Sequence, residues 1–250
     1  MTAKKMGQHF LIDEAVAERE VAHAGITEQD VVLEIGPGKG ILTRKLARFA
    51  RQVVAIELDK HLVTQLTPIL PANVHLLHAD ALNVDFFSLP AFTKIVSNLP
   101  FHISSPITFK FLECPFTTAV LIYQQEFADR LVAQPGSKAY SRLSVGVYYK
   151  AYCEFLEHIP KTCFSPQPQV DSAMIKVTPR DTPPFSVTNE PFFFSLTKTL
   201  FTHRRKKIRT ILRNQYRITD STLPYLDNRV EELSPEQIGE LSDVLSPHTL

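Results

Sequence analysis

Short apolar runs alternate with segments of helical periodicity along the first two thirds of the chain. Runs rich in Val, Ile and Leu predict buried strands, namely VVLEIG (31–36), VVAIE (53–57), VHLLH (74–78), KIVSNL (94–99) and AVLIY (119–123). The segments between them predict helices, among them 59–70 and ILTRKLARFA (41–50) with its apolar Ile41, Leu42, Leu46 and Phe49. Strands separated by helices imply right-handed crossovers and a doubly wound, mostly parallel α/β sheet. Ligands bind such sheets at the carboxyl ends of the strands.

The pattern changes near residue 180. The segment TPRDTPPFSVTNEP (178–191) is rich in proline and suits a linker. Beyond it, FFFSLTKTLFTHRRKKIRTILRN (192–214) has apolar residues at helical spacing. Ser234 opens a Ser-Pro-Glu-Gln sequence that combines an N-cap, a first-turn proline and a capping box. We therefore predict two domains, an α/β domain over residues 1–180 and a small all-helical domain over 181–250.

The composition is that of an ordinary soluble globular protein, with 44% hydrophobic and 21% charged residues. No apolar run approaches the roughly 20 residues that a membrane span needs, and the start lacks the apolar region of a secretory signal. The three cysteines have no C-x-x-C spacing, which indicates free thiols in a reducing compartment. We predict a cytoplasmic monomer without a bound metal and without a membrane partner.

A glycine-rich turn follows the first predicted strand, in LEIGPGKG (33–40). Glycine lets the backbone turn sharply and approach a ligand, so Gly36 and Gly38 are candidate cofactor contacts. A turn that is needed only for packing gives the same pattern. Glu57 ends the second strand, where a carboxylate can accept hydrogen bonds from ribose hydroxyls. Asp80 follows the third strand and can accept from an adenine amino group. Together these residues favour an adenosine-bearing cofactor and leave NAD open.

The sequence Asn98-Leu99-Pro100-Phe101 follows the fourth predicted strand and favours methyl transfer to adenine. The lone pair of the adenine N6 amine is delocalised into the ring, so a transferase must hold the amine by its hydrogens. The side-chain carbonyl of Asn98 and the backbone carbonyl of Leu99 offer two acceptors for them. Pro100 stiffens the loop, and Phe101 offers a stacking face for the base. The alternative is a β-turn with a core phenylalanine.

These motifs resemble those of the KsgA-like rRNA adenine dimethyltransferases, a family of Rossmann-like class I methyltransferases. The matching segments are GQHFL (7–11), VLEIGPGKGILT (32–43), VVAIELD (53–59), HADAL (78–82), NLPFHISSP (98–106), QQEFADRLVAQPGSKAYSRLSV (124–145), FSPQPQVDSA (164–173) and LFTHRRKKIR (200–209). The resemblance covers nearly the whole chain. Its last segment, with the compact C-terminal helices, looks most like the archaeal members.

The resemblance implies that S-adenosylmethionine supplies two methyl groups to each of two adjacent adenosines. These lie in a hairpin near the 3′ end of small-subunit rRNA, and the modification occurs during ribosome assembly. The implied cofactor contacts are His9, Leu11, Gly36, Glu57, Asp80 and Asn98. Phe164 is implied to pack on the target base from the side opposite Phe101. Two residues depart from the family pattern. Phe101 is more often Tyr, so a hydroxyl contact is lost while stacking survives, and His9 is often Asn, which leaves its contact open.

Basic residues are segregated along the chain although its formal net charge is only +1. One run contains Arg204, Arg205, Lys206, Lys207 and Arg209, whereas 227–243 is strongly acidic. Helical periodicity predicts that Arg205 and Arg209 share a face, and the run can neutralise several phosphates of RNA. A second candidate RNA contact is the polar loop that holds Arg130, Lys138 and Arg142 in or near it. For both sets the alternative is a solvated face.

Three other functions remain open at this point. The same chemistry can act on large-subunit rRNA or on DNA adenine. The fold can also serve a non-catalytic RNA-binding assembly factor, although the intact Asn98-Leu99-Pro100-Phe101 sequence and the two cofactor acids argue against lost catalysis. A dinucleotide oxidoreductase fits least, because hydride transfer gives that tetrapeptide no role.

Overall fold

The computed structural model of the protein describes residues 8–246, so the ends of both predicted domains, and Gly7 of the first matching segment, lie outside the described residues. The strands within this range are β1 (Phe10–Leu11), β2 (Val31–Ile35), β3 (Gln52–Glu57), β4 (Val74–His78), β5 (Lys94–Asn98), β6 (Thr118–Gln124), β7 (Ala151–Ile159), β8 (Phe164–Ser165) and β9 (Ser172–Pro179). The α-helices are α1 (Glu14–Ala24), α2 (Ile41–Leu46), α3 (Lys60–Leu66), α4 (Ser104–Phe111), α5 (Gln125–Leu131), α6 (Arg142–Lys150), α7 (Glu190–Thr202), α8 (Ile208–Tyr216) and α9 (Pro235–Leu245).

Seven of these strands form one sheet in the order β4-β3-β2-β5-β6-β9-β7. The first five run parallel to their neighbours, and β9 pairs antiparallel with β6. The predicted α/β fold with a doubly wound, mostly parallel sheet is thereby confirmed. The order of the strands reverses between β2 and β5, so the crevice beyond Ile35 and Asn98 is the topological switch point, where such sheets bind ligands.

The core around the sheet explains why the strands read as continuous apolar runs. Every residue of β2 is buried, as expected for a parallel strand that is covered on both faces. On one side of the sheet α1 packs against α2 and β6. Asp13 caps α1, because its Oδ1 accepts hydrogen bonds from the backbone N–H groups of Ala15 and Val16 at 2.9 and 3.2 Å.

The chain divides into two compact units. The first contains residues 1–128 and 152–179, and the second contains 129–151 and 180–250. The predicted division at residue 180 therefore needs a correction, since 129–151 falls in the second unit and not in the first. The reason is its apolar content: Tyr140, Val145 and Tyr149 pack in the same core as the helices beyond residue 190. In addition, Tyr140 Oη donates a hydrogen bond to the backbone carbonyl of Leu233 at 3.0 Å.

The second unit confirms the predicted helical region but not the single helical stretch over 192–214. Helix α7 ends at Thr202 and α8 begins at Ile208. The break arises because Ile208 N–H donates to the carbonyl of Asn228 and Arg209 N–H donates to that of Leu226. Arg205 lies in the break, so the prediction that Arg205 and Arg209 share one helical face is wrong.

Helix α9 begins as the sequence predicts. The Ser234 Oγ accepts from the backbone N–H of Gln237 at 3.3 Å, and Gln237 Oε1 accepts from the backbone N–H of Ser234 at 2.9 Å. These two bonds form the predicted capping box. The buried stripe of this helix contains Ile238, Leu241 and Leu245.

Two helices of the first unit are shorter than their apolar periodicity predicts. Helix α2 ends at Leu46, and Phe49 is 51% exposed instead of buried on its inner face. The amide of Asn73 explains the early end, because it donates to the carbonyls of Ala47 and Ala50 at 2.9 and 3.0 Å. Helix α3 ends at Leu66 and continues only as a 3₁₀ turn over Thr67–Ile69.

Within residues 8–246, no helix is long and apolar enough to cross a membrane.

Candidate active site

A cavity of about 500 Å³ opens at the carboxyl ends of β2, β3, β4 and β5 in the first unit. Five segments form most of its lining, namely residues 8–11, 34–39, 56–58, 79–82 and 98–103, and Ile41, Leu42 and Leu62 complete it. They include every cofactor contact and every residue of the tetrapeptide predicted from the sequence. Phe164 does not line the cavity but contacts Phe101. The sheet therefore brings together side chains that are up to about 90 positions apart in the sequence, as expected for strand ends at a switch point.

The glycine turn between β2 and α2 is held close to other parts of the protein. Gly36 and Gly38 have φ angles of +74° and +58°, which side chains with a Cβ rarely adopt. A Cβ at Gly36 would lie 2.9 Å from Cγ of Pro100, and one at Gly38 would lie 2.8 Å from the ring of Phe10. The absence of a side chain at Gly36 and Gly38 thus leaves room for Pro100 and Phe10. Tight packing within the protein therefore explains these two glycines as well as the approach of a ligand does.

Glu57, at the end of β3, is buried and turned towards this glycine turn. Its Oε2 accepts from the backbone N–H of Gly38 at 3.2 Å, and its Oε1 accepts from that of Asp59 at 2.9 Å. Burial raises the pKa of Glu57, and the two backbone donors act in the opposite direction. A carboxylate can accept about four hydrogen bonds, so acceptor capacity remains for a ligand.

Glu34 is a second buried acid of the cavity, and it is not among the residues that the sequence motifs single out as cofactor contacts. It is 1% exposed, and its Oε2 has no hydrogen-bond partner. Burial is the main reason that the pKa of Glu34 is raised to about 8, and the charge of Glu57 acts in the same direction. The sequence pattern of β2 could not have predicted the burial of Glu34. Every residue of that strand is buried, so its positions do not alternate between a buried and an exposed face.

Asp80 lies in the turn that follows β4. Its Oδ1 accepts from the backbone N–H of Leu82 at 2.9 Å, and its Oδ2 accepts from the side-chain amide of Asn83 at 3.1 Å. The carbonyls of Ala81 and Leu82 accept from Lys110 of α4. Lys110 is a residue that sequence reasoning missed, because a single lysine on a helix carries no motif.

Asn98 is the last residue of β5, and its Oδ1 is buried without a hydrogen-bond partner. Leu99 is buried, Pro100 packs against Gly36, and Phe101 begins a 3₁₀ turn that ends at Ile103. A buried carbonyl oxygen without a partner costs free energy on the order of 1–3 kcal/mol. An acceptor of this kind in a ligand cavity is suited to bind the hydrogens of an amine.

An aromatic cluster lies beside Asn98. The rings of His9 and Phe101 stack with their centroids 5.9 Å apart, and those of Phe101 and Phe164 meet edge to face at 6.3 Å. The pairing of β1 with β8 brings the segments that carry His9 and Phe164 together, and His9 Nδ1 lies 2.7 Å from the carbonyl oxygen of Pro166. Phe101 and Phe164 contact each other directly, so a base can lie between them only after one ring turns.

The N-terminal arm covers one side of the cavity. Gln8 donates a hydrogen bond to Asp59 at 3.4 Å, the ring of Phe10 lies against Gly38, and Leu11 is buried. The ammonium group of Lys39 lies 5.3 Å from the centre of the Phe10 ring. The predicted contacts His9 and Leu11 therefore reach the cavity through an arm that is attached to the glycine turn.

In the basic run of the second unit, three of the five cations are paired with acidic residues, and all except Arg204 are exposed. Arg204 forms an ion pair with Glu231 at 2.5 Å and donates to the carbonyls of Ser137 and Lys138. Lys207 and Arg209 both pair with Asp227. Arg205 and Lys206 are exposed. The second predicted set of RNA contacts differs in exposure, since Lys138 is exposed whereas Arg130 and Arg142 are half-buried.

Four features together define a Rossmann-like methyltransferase. They are the sheet order, the glycine turn, the acid at the end of the next strand, and the Asn98-Leu99-Pro100-Phe101 loop at the switch point. Within residues 8–246, no group of three or more His, Cys, Asp or Glu side chains is placed to hold a metal ion. A sequence model of the family described as ribosomal RNA adenine dimethylase matches residues 2–246. The chain belongs to this family.

Relatives and solved structures agree with this assignment over the whole chain. A probable ribosomal RNA small subunit methyltransferase A from Methanococcus maripaludis is 45% identical over 97% of each chain. A dimethyladenosine transferase from Plasmodium falciparum has a similar structure, with a TM-score of 0.79, 25% identity, and coverage of 96% of this chain and 98% of that one. The 23S rRNA methyltransferase ErmE has a TM-score of 0.68 and 29% identity over 95% of this chain and 99% of its own.

Proposed function

We propose that the protein uses S-adenosylmethionine to dimethylate the N6 amines of two adjacent adenosines in a hairpin near the 3′ end of small-subunit rRNA. Membership of the ribosomal RNA adenine dimethylase family supports the reaction. The choice of the small subunit rests on relatives that are named as small subunit methyltransferases. We further propose that the monomer acts in the cytoplasm on a subunit that is still being assembled.

The observation that carries the proposal is the unpartnered Oδ1 of Asn98. In our proposal this oxygen and the backbone carbonyl of Leu99 accept the two hydrogens of the target amine. Holding the hydrogens turns the nitrogen lone pair towards the methyl donor and favours the sp³ geometry of the transition state. The acceptors are already desolvated and ordered, so little reorganisation is needed when the amine binds. No strong base is required, because the nitrogen becomes acidic once it carries positive charge.

The cavity fits the proposed cofactor. S-adenosylmethionine supplies a methyl group that its sulfonium activates. Glu57 has acceptor capacity for ribose hydroxyls, and Asp80 lies at the end of β4, where its carboxylate can accept from the adenine amine. His9 and Leu11 of the N-terminal arm also line the cavity.

Phe101 is proposed to stack on the target adenine, and Phe164 to support the other face of the base. Because the two rings contact each other, one of them must turn before an extruded base can lie between them. The ring of His9 also stacks on Phe101. Base stacking on an aromatic ring contributes about 1–3 kcal/mol. A phenylalanine at position 101 provides this contribution without a hydroxyl contact.

We propose that exposed cations of the second unit bind the rRNA backbone. Their exposure and their ion pairs give a ranking of the candidates. Arg205, Lys206 and Lys138 are exposed and lie in or near the two predicted sets. Arg204, Lys207 and Arg209 are engaged with acidic residues and are weaker candidates. Arg130 and Arg142 stay in the proposal as half-buried residues at the edges of a polar loop.

The test is methyl transfer from S-adenosylmethionine to small ribosomal subunits that lack the modification, with the products resolved as nucleosides by mass spectrometry. Dimethyladenosine at two adjacent positions is the expected result. Naked small-subunit rRNA, assayed in parallel, separates the RNA itself from the assembling particle as the substrate. Tight cofactor binding without transfer to either would contradict the proposed substrate.

Large-subunit rRNA is the second candidate substrate, and the structural similarity to ErmE favours it over DNA. Large ribosomal subunits without the corresponding modification belong in the same assay. Methylation of the large subunit but not of the small one would replace the proposed substrate and leave the chemistry at Asn98 unchanged.

A further inference from the structure

The ammonium group of Lys110 connects the turn after β4 to helix α4. Its Nζ donates hydrogen bonds to the backbone carbonyls of Ala81 and Leu82 at 3.0 and 2.6 Å. It also lies 4.7 Å from the centre of the Phe86 ring, and Phe86 is itself buried. A half-buried ammonium group with these neighbours is directed into the protein and away from solvent.

The turn that receives these bonds carries Asp80. The backbone N–H groups of Asn83 and Val84 donate to the carbonyl of Asp80, and the Asp80 carboxylate accepts from Leu82 and Asn83. These bonds all lie within the turn and fix its shape. They do not fix its position, because they do not reach another element. The backbone N–H of Ala79 donates to the carbonyl of Glu57 at 3.0 Å and attaches the start of the turn to β3. The bonds from Lys110 attach the far side of the turn to α4, so the two contacts together set where the Asp80 carboxylate lies in the cavity.

Helix α4, which carries Lys110, begins just after the Asn98-Leu99-Pro100-Phe101 loop. The Ser104 hydroxyl donates to the carbonyl of Phe101 at 3.0 Å, which attaches the helix to that loop. The Thr108 hydroxyl lies 2.8 Å from the Tyr123 hydroxyl, a buried contact that attaches the helix to β6. The helix is therefore a fixed support, and Lys110 transmits its position to the Asp80 turn.

We propose that Lys110 is a positioning residue, which holds the Asp80 turn at the distance from the Asn98 loop that cofactor binding requires. Lys110 touches neither the cofactor nor the amine and acts through the carbonyls of Ala81 and Leu82. The proposal rests on the proposed function, because it takes Asp80 as a contact of S-adenosylmethionine. A lysine close to the site of an RNA enzyme is otherwise expected to bind phosphate, but the ammonium group of Lys110 is already committed to two carbonyls.

The test compares Lys110→Met with Lys94→Met. Lys94 is also half-buried and donates to one backbone carbonyl, that of Ala24 at 2.9 Å. Ala24 does not line the cavity, whereas Ala81 and Leu82, which accept from Lys110, do. Isothermal titration calorimetry of the full chain with S-adenosylmethionine is expected to give about a tenfold higher Kd for Lys110→Met, equivalent to about 1.4 kcal/mol. We expect Lys94→Met to stay within twofold of the wild type, and Lys110→Arg to recover most of the affinity.

Three further measurements separate positioning from a general structural role. The Kd of Lys110→Met combined with Asp80→Asn should equal that of Asp80→Asn alone, because both changes act through one turn. Turnover at saturating cofactor should stay within threefold of the wild type, so the loss appears in KM. The salt dependence of RNA binding should not change, because Lys110 neutralises no phosphate.

The possible outcomes distinguish the two proposals. If the wild type does not bind S-adenosylmethionine, the proposed function fails. If it binds and Lys110→Met binds within twofold as tightly, only the role of Lys110 is overturned. Additive losses in the double variant, or a shallower salt dependence, also overturn that role. If Lys110→Met does not fold, Lys110→Gln serves the same comparison, since it removes the charge but keeps a hydrogen-bond donor.

Discussion

The carboxylate of Glu57 connects the end of β3 to the glycine turn, because its Oε2 accepts a hydrogen bond from the backbone N–H of Gly38 at 3.2 Å. The other oxygen accepts from the backbone N–H of Asp59 at 2.9 Å. The same side chain thus orders the loop and has acceptor capacity left for a ligand. Removing it altogether would change both properties, so a substitution that keeps its size is the sharper test.

Glu57→Gln is expected to raise the Kd for S-adenosylhomocysteine by about 10- to 100-fold, or roughly 1.4–2.8 kcal/mol. The amide keeps one acceptor oxygen but replaces the other with a donor, which cannot accept from Gly38 or from a ribose hydroxyl. Isothermal titration calorimetry measures the change. Asp85→Asn is the matched control, because Asp85 caps a 3₁₀ turn outside the cavity. An unchanged Kd in Glu57→Gln would refute the ribose assignment.

Asn98→Ala is expected to lower kcat/KM by about 10²–10³-fold while the fold is retained. Its Oδ1 is buried without a partner, so the substitution removes a desolvation cost that offsets the lost packing. We expect the free energy of unfolding to stay within about 1 kcal/mol of the wild type. Single-turnover methyl transfer and urea unfolding measure the two effects.

Asn73→Ala is the control for Asn98→Ala, and it should lower stability without lowering turnover. The Asn73 amide donates to two helix-terminal carbonyls, those of Ala47 and Ala50, and lies outside the cavity. Its loss should cost about 1–2 kcal/mol of stability and leave turnover per folded molecule unchanged. Wild-type turnover in Asn98→Ala would contradict the proposed mechanism.

The strands that carry the site could be predicted because they are buried on both faces. A strand such as β2, with no exposed residue, must be an apolar run, and a turn with positive φ angles at Gly36 and Gly38 must be rich in glycine. These constraints are local, so they appear in the sequence directly. The order of residues along the chain is therefore enough to place Glu57 and Asn98 at strand ends.

The features that the sequence did not reveal depend on long-range contacts. Helix α7 ends at Thr202 because the chain that follows pairs with residues 226–229, and no helix-stop signal marks that place. The same is true of Lys110, whose role depends on carbonyls about 28 positions away. His9 reaches the carbonyl of Pro166, and Leu11 lies opposite Phe164, only because β1 pairs with β8. Local periodicity carries no information on such contacts.

The raised pKa of Glu34 predicts a stability that falls as the pH rises. The pKa of this carboxyl is about 8 in the folded protein and 4.5 as its ordinary value. Between these values the unfolded chain loses a proton that the folded protein keeps, so alkaline pH favours unfolding. The stabilising effect of protonation is complete below pH 4.5 and is lost as the pH rises through 8. The slope is at most about 1.4 kcal/mol per pH unit.

Glu34→Gln should therefore be more stable than the wild type by an amount that grows by about 2 kcal/mol between pH 6 and pH 8. Urea unfolding of the cofactor-free protein measures this difference. Glu20 and Glu57 also have raised pKa values through burial, and they interact with Glu34 by charge. Their titrations therefore cancel in the comparison while Glu34 is neutral, below about pH 8. Glu28→Gln, an exposed substitution, is the control. A constant difference for Glu34→Gln would mean that the carboxyl is ionised in the fold.

The ion pairs of the basic run predict that its residues have different roles. Arg204→Gln combined with Lys207→Gln should lower the free energy of unfolding by about 1–2 kcal/mol, because Arg204 loses its ion pair with Glu231 and its hydrogen bonds to the carbonyls of Ser137 and Lys138. The exposed pair of Lys207 with Asp227 adds little to stability. The salt dependence of RNA binding should hardly change in this variant. Arg205→Gln combined with Lys206→Gln should instead weaken RNA binding, since both residues are exposed and neither forms an ion pair within residues 8–246. The slope of log K against log salt should become shallower by about 1–2, with stability unchanged. Equal slopes in the two variants would mean that the exposed pair is only a solvated face and that RNA binds elsewhere.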